Sequence, residues 1–204
     1  MFRRLQLWYD MGIIGERPAM ERTPRDSRKR YTKECLYKSF LELLATRPVS
    51  DITVIEICEN AGVSRKTFYK YYSDQFALLA GMQDDLIADY RDRLAGQDAN
   101  IFQIAPALIR FVDANRVLMK AIFSNRGEGN AIDFIQDDLF ARYRTDWETA
   151  NPTMAPENVE ALFYFVVSGL VGLVRHWLYD RPEMDVEQVI AQADALMHLA
   201  DPNR

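Results

Sequence analysis

Residues 53–72 read TVIEICENAGVSRKTFYKYY, and the fold depends on how this stretch is divided. Thr53 followed three positions later by Glu56 is a helix-start pattern, each side chain satisfying the other's backbone N–H. Ile57 and Cys58 give that helix an apolar side. Ala61-Gly62 closes it, because glycine enters a left-handed turn without a Cβ penalty. Ser64 caps the next helix, expected through about Tyr72, so Ala61-Gly62-Val63-Ser64 forms a short joint. Such a joint sets two helices at a steep angle, and small Ala61 and Val63 let them cross closely. One helix can then brace on a DNA backbone while the next enters the major groove. The second helix offers Arg65, Lys66, Thr67, Tyr69, Lys70 and Tyr71 to phosphates or base edges, while Phe68 and Tyr72 face inward.

Working outward, a first helix is expected over Ser27–Thr46, with Leu36, Phe40, Leu43 and Leu44 on one face. Arg47-Pro48 ends it, since the residue before proline is pushed out of the α region. Ser73 is expected to cap a fourth helix, Asp74 to about Leu94, followed by a polar joint at Gly96–Asn100. Further helices are expected near Ile101–Ala114, Arg116–Asn125, Asn130–Thr149, Pro156–Tyr179 and Val186–Ala200, separated by Gly127, Gly129, Pro152, Pro156 and Pro182. No stretch alternates long enough for a strand, so the fold class is all-α. Three parts follow: a flexible extension at 1–26, a three-helix DNA-binding domain at 27–73, and a helical regulatory and dimerisation domain at 74–204. The extension has Arg3 and Arg4 but no uninterrupted apolar run, so it is not a signal peptide, and Met11 and Met20 are alternative starts.

The stretch resembles the DNA-binding domain of the tetracycline-repressor-like (TetR) family of bacterial regulators. The matching residues are Thr53-Val54, Ile57, Ala61-Gly62-Val63-Ser64, Thr67-Phe68-Tyr69, Tyr71-Tyr72 and Leu78-Leu79, within roughly residues 28–82. The resemblance implies a homodimer on a near-palindromic operator of double-stranded DNA. It puts Arg65 and Lys66 where the family reads bases, Thr67, Tyr69 and Tyr71 where it holds phosphates, and Thr53 near the backbone. With Ser64 and Lys70, these form the expected DNA-binding set. Two positions depart from the pattern: Gln75 stands where a phosphate-binding lysine is usual, and Ile55 where some members place a polar base reader.

Charge is divided unevenly. Residues 1–75 carry 14 Lys/Arg against 10 Asp/Glu, and the remainder 11 against 20, for an overall −5. A basic front on an acidic body suits one end meeting a polyanion. Cys35 and Cys58 have neither metal nor redox spacing, which fits a reducing, cytoplasmic setting. His176 and His198 lack clustered carboxylates, so no metal site is expected. With no nucleophile–base pair or glycine-rich phosphate loop in view, the chain is expected to be neither an enzyme nor a cofactor carrier.

The longest uncharged apolar run, Ala161 to Val174, is 14 residues, which reads as a buried helix rather than a membrane span. Ser168, Gly169 and Gly172 give that helix a thin face on which a second copy can close. Val189, Ile190, Ala193, Leu196 and Met197 offer a second stripe. Phe111–Phe123, with Asn115-Arg116, and the run 169–173 before Trp177 are loosely similar to the C-terminal type of dihydroxyacetone-kinase-activator-like regulators. The expectation is a repressor released by a small apolar or aromatic effector. The alternative is an activator whose second domain binds a protein partner.

Overall fold

The computed structural model describes residues 24–94, 101–125, 131–150 and 152–200, and among them every regular element is helical. The remainder of the extension with Arg3, Arg4, Met11, Met20 and Arg22, the joint at Gly96–Asn100, and Gly127 and Gly129 lie outside the described residues. Two compact units divide after Gly96.

Unit 1 begins with α1 (Pro24–Leu44), a 3-10 turn (Val49–Asp51), α2 (Val54–Ala61), α3 (Arg65–Phe68) and α4 (Gln75–Leu94). Helix α1 starts three residues before the expected Ser27, so Pro24–Asp26 belong to it and not to the extension. Proline suits a helix start because its fixed φ is already helical and its missing N–H would have no partner there. Leu36 and Phe40 are fully buried, and Leu43 and Leu44 only half so. Buried Ser39 completes the inward face by donating to the Ile57 carbonyl at 2.8 Å, which ties α1 to α2. Ile52, Ile57, Phe68, Leu78 and Leu79 are fully buried with them. Each such side chain contributes roughly 1.5–3 kcal/mol by leaving water.

Helix α4 belongs to this unit, whereas the sequence placed the division after Ser73. Its residues Leu78, Leu79, Met82, Leu86 and Tyr90 are buried, and Asp85 pairs with Lys33 of α1 at 2.7 Å. A Cβ on Gly81 would lie 2.9 Å from Cε1 of Tyr72 and 3.4 Å from the Tyr37 hydroxyl, so α4 meets both tyrosines closely there. The cap of α4 is Asp74, not the expected Ser73: its carboxylate accepts from the Ala77 N–H at 2.7 Å, and Ser73 only donates to that carboxylate.

Unit 2 comprises α5 (Ile101–Ala114), α6 (Arg116–Ser124), α7 (Ala131–Ala150), α8 (Pro156–Asp180) and α9 (Val186–Ala200). Helix α5 packs on α9, and α8 on α7, α9 and α6. Trp177 is the central post. Its ring lies under the Arg116 guanidinium, 4.3 Å from the centroid, and its Nε1 donates to the Met184 carbonyl at 3.0 Å. Arg116 also donates to Asp113 and to the Pro182 carbonyl, so one side chain joins α5, α6, α8 and the α8–α9 turn.

Helix α8 is long and apolar enough, by length and composition alone, to cross a membrane. Seven of its residues, from Val159 to Leu178, are instead buried within the unit. On α9, Val189, Ala193 and Met197 are spent on the unit's own core, which corrects the expected outward stripe. Only Leu196 of that set is exposed, beside Gln188, Gln192 and Ala195.

The start of α2 is acid-sensitive. The Thr53 hydroxyl and N–H, and then Arg47, hold the Glu56 carboxyl at about 2, below its ordinary 4.5. A depressed carboxyl stabilises the fold above its unfolded pKa and loses that effect as pH falls through the folded one. The thermal midpoint should therefore fall between pH 4.5 and 2 by more in the wild type than in Glu56→Gln. Parallel midpoints over that window would remove Glu56 from the acid response.

Candidate nucleic-acid interface

The joint between α2 and α3 is built from backbone geometry. Gly62 has φ 64° and ψ 30°, the left-handed conformation, and among the described residues it is the one with positive φ. Its N–H reaches the carbonyls of Cys58 and Glu59, and the Val63 N–H returns to Cys58 at 3.0 Å. These bonds satisfy the last carbonyls of α2. Two residues later the Ser64 side chain accepts from the Thr67 N–H at 3.2 Å and starts α3.

Helix α3 has only four residues, where the sequence suggested a helix through about Tyr72. Beyond Phe68 the chain tightens into three-residue bonds, Lys70 N–H to Thr67 and Tyr71 N–H to Phe68. Phe68 is fully buried and acts as the anchor. Tyr69 meets it edge-on at 5.6 Å and Tyr72 lies tilted at 5.9 Å.

This anchor turns the other side chains outward. Arg65, Lys66, Tyr69, Lys70 and Tyr71 are exposed, and none has a hydrogen-bond or ion-pair partner among the described residues. Nearby cations differ: Arg30, Lys33 and Arg47 pair with Glu34, Asp85 and Glu56. An unpaired cation is free to meet a phosphate without first breaking an ion pair.

The three small hydroxyl residues of the expected set behave differently. Thr53 is exposed, but its hydroxyl donates to the Glu56 carboxylate at 2.7 Å while accepting from the Glu56 N–H at 3.3 Å. The capping box is thus complete, and the nearest charge to Thr53 is negative. Ser64 and Thr67 share a 2.8 Å hydrogen bond, with Thr67 half-buried. The eight residues therefore fall into five with free polar ends and three committed to helix starts. Gln75 is half-buried as the first residue of α4. Ile55, which stands where the resemblance puts a polar base reader in some members, lies exposed on α2 with Glu59 on the same side and outside the Ile57–Cys58 face.

In unit 2, Phe140, Phe163, Tyr164 and Trp147 pack on one another at 5.1–5.8 Å. Among the described residues, no group of three His, Cys, Asp or Glu side chains is placed to hold a metal.

A two-helix elbow presenting unpaired cations, followed by a separate helical bundle, defines the class of helix-turn-helix regulators. Residues 99–199 match the TetR family described as transcriptional regulator C-terminal region. The HTH-type dhaKLM operon transcriptional activator DhaS of Lactococcus lactis subsp. lactis (strain IL1403) is 28% identical over 96 residues, 45% of this chain. That match spans about half of the relative's length, 49%. The solved dihydroxyacetone kinase operon activator DhaS shares the fold, with TM-score 0.60 and 19% identity over 83% of this chain and 96% of that one. A TetR transcriptional regulator from Rhodococcus sp. RHA1 aligns at TM-score 0.46 and 14% identity, over 85% of this chain and 97% of that one. The chain belongs to the TetR family of transcriptional regulators, an all-α family whose members bind DNA and form dimers.

The elbow itself is testable. A Cβ on Gly62 would meet nothing within 4 Å, so Gly62→Ala carries only the left-handed backbone cost, roughly 1–2 kcal/mol. Denaturant unfolding should show that loss, while Tyr69→Phe, which removes an unpartnered hydroxyl, should leave the midpoint unchanged. An unchanged midpoint in Gly62→Ala would mean that the turn relaxes out of the left-handed region.

Proposed function

We propose that the protein is a cytoplasmic, homodimeric, sequence-specific regulator that places α3 of each protomer in one half-site of a near-palindromic operator. The observation that carries this is the row of exposed, unpaired side chains on and just after α3, set by the Gly62 turn and anchored by Phe68. Arg65, at the first position of α3, reads a base edge, with Lys66 beside it. Tyr69, Lys70 and Tyr71 hold phosphates, and Thr53, Ser64 and Thr67 present their helix ends to the backbone.

The second copy docks on the outer face of α8. Ala161, Phe165, Ser168, Gly169 and Gly172 follow one another at helical spacing, all exposed, and Phe165 is 75% exposed. An apolar stripe of this length in water favours association. The small residues allow two such helices to approach closely across a twofold axis.

The reading for regulation is repression relieved by a small apolar or aromatic effector that favours a conformer with the wrong half-site spacing. Activation through a protein partner is the second reading. It is favoured by the word activator in the names of the DhaS relatives and by the mutual packing of the unit 2 aromatics.

Selection from a random duplex pool, followed by footprinting on the chain's own promoter region, tests the reading. A twofold-symmetric site should emerge, with half-sites about 34–36 Å or a multiple apart. On that site Arg65→Ala should cost roughly 1–3 kcal/mol per half-site and relax preference at one symmetric position. Tyr69→Phe should weaken binding to selected and scrambled duplexes alike. Equal losses on both duplexes for Arg65→Ala would remove it as a base reader.

The dimer face has a clean probe. A Cβ on Gly169 or Gly172 meets nothing within 4 Å, so a side chain there leaves the protomer undisturbed. Sedimentation should give twice the 23.7 kDa chain mass for the wild type and the single mass for Gly172→Glu, with operator binding lost together. A dimeric Gly172→Glu would move the interface elsewhere.

A further inference from the structure

Between α2 and α3 lies an open cleft of about 310 Å³, lined by Ile55, Cys58, Glu59, Gly62, Val63 and Arg65. Ile55 and Glu59, one helical turn apart on α2, form one wall, and Arg65 at the start of α3 the other. Ile55 is 48% exposed, while Ile52 and Ile57 on either side of it are fully buried. The core of unit 1 thus has no use for this side chain, and its apolar surface faces the same cleft as Arg65.

We propose that Ile55 is a second specificity-determining residue, packing against the C5 methyl of a thymine beside the base that Arg65 reads. This rests on the DNA-binding reading above. The chemistry of the cleft selects that occupant. The Glu59 carboxylate at its rim opposes a phosphate, so the part of a duplex that enters is a base edge. Of the groups in the major groove, the thymine methyl is the one recognised by apolar contact rather than by hydrogen bonds. Cys58, 4% exposed and with its thiol pushed up by burial, adds uncharged sulfur to the cleft lining.

The experiment replaces each thymine of the selected operator, in turn, with deoxyuridine, which removes only the methyl. At one symmetric pair of positions the wild type should bind about fourfold more weakly per half-site, the worth of one buried methyl-sized group. Ile55→Ala should lose that sensitivity while keeping the response to changes at the Arg65 position, and Ile55→Val should retain it. Half-exposed Ile55 tolerates both changes, which the unfolding midpoint checks. A wild type indifferent to deoxyuridine everywhere, or an Ile55→Ala protein as sensitive as the wild type, overturns the assignment and leaves the DNA-binding reading standing. If selection yields no preferred duplex at all, the DNA-binding reading fails first and this assignment falls with it.

Discussion

A four-residue helix has no stability of its own, since a first helical turn fixes several dihedrals for a single hydrogen bond. Helix α3 exists because Phe68 is driven into the core between the Gly62 turn and the start of α4. The left-handed backbone of Gly62 sets the direction in which the chain leaves α2, and the buried phenyl ring sets the rotation of α3 about its own axis. With both set, the outward aim of Arg65, Lys66, Tyr69, Lys70 and Tyr71 follows without further contacts holding them. That freedom suits polar groups whose partner is another molecule. A surface already satisfied internally would have to break its bonds before binding anything.

The electrostatics of unit 1 sharpen this division. Two carboxylates near the elbow are engaged in structure, Glu56 in the α2 cap with Arg47 and Asp74 in the α4 cap, while exposed Glu59 lines the cleft with Arg65. Negative charge is thereby drawn into helix starts, where backbone N–H groups and the helix dipole favour it. The cations of α3 are left without an internal counterpart. Attraction for a polyanion is then local to α3, although the whole chain carries −5.

Unit 2 follows a different economy. Trp177 gathers Arg116, the Met184 carbonyl and the helices around it, so the bundle is tied at one end of α8. Val189, Ala193 and Met197 of α9 are consumed in the same core, with Leu196 left exposed. What remains outward on α8, from Ala161 to Gly172, is small or aromatic and uncharged; the Ser168 hydroxyl accepts from Gln136 of α7 at 3.2 Å, while nothing among the described residues lies within 4 Å of a Cβ on Gly169 or Gly172.

The features legible in the sequence are those governed by residues a few positions apart. The Thr53–Glu56 box, the Gly62 turn and the Ser64 cap each depend on hydrogen bonds spanning no more than five residues, so their residue types announce them. The all-α class follows likewise from helical periodicity. Residues distant in the chain decided the rest. Winding beyond Phe68 tightens where Tyr72 comes to lie beside Gly81 of α4, and Asp74 rather than Ser73 closes the start of that helix. Val189, Ala193 and Met197 turn inward because α9 has α5 and α8 to cover, while Ile55 stays outward because Ile52 and Ile57 already fill the core around it. Periodicity marks a helix face as apolar, but which part of that face is buried depends on the helix that packs against it, and only the tertiary structure brings that helix into place.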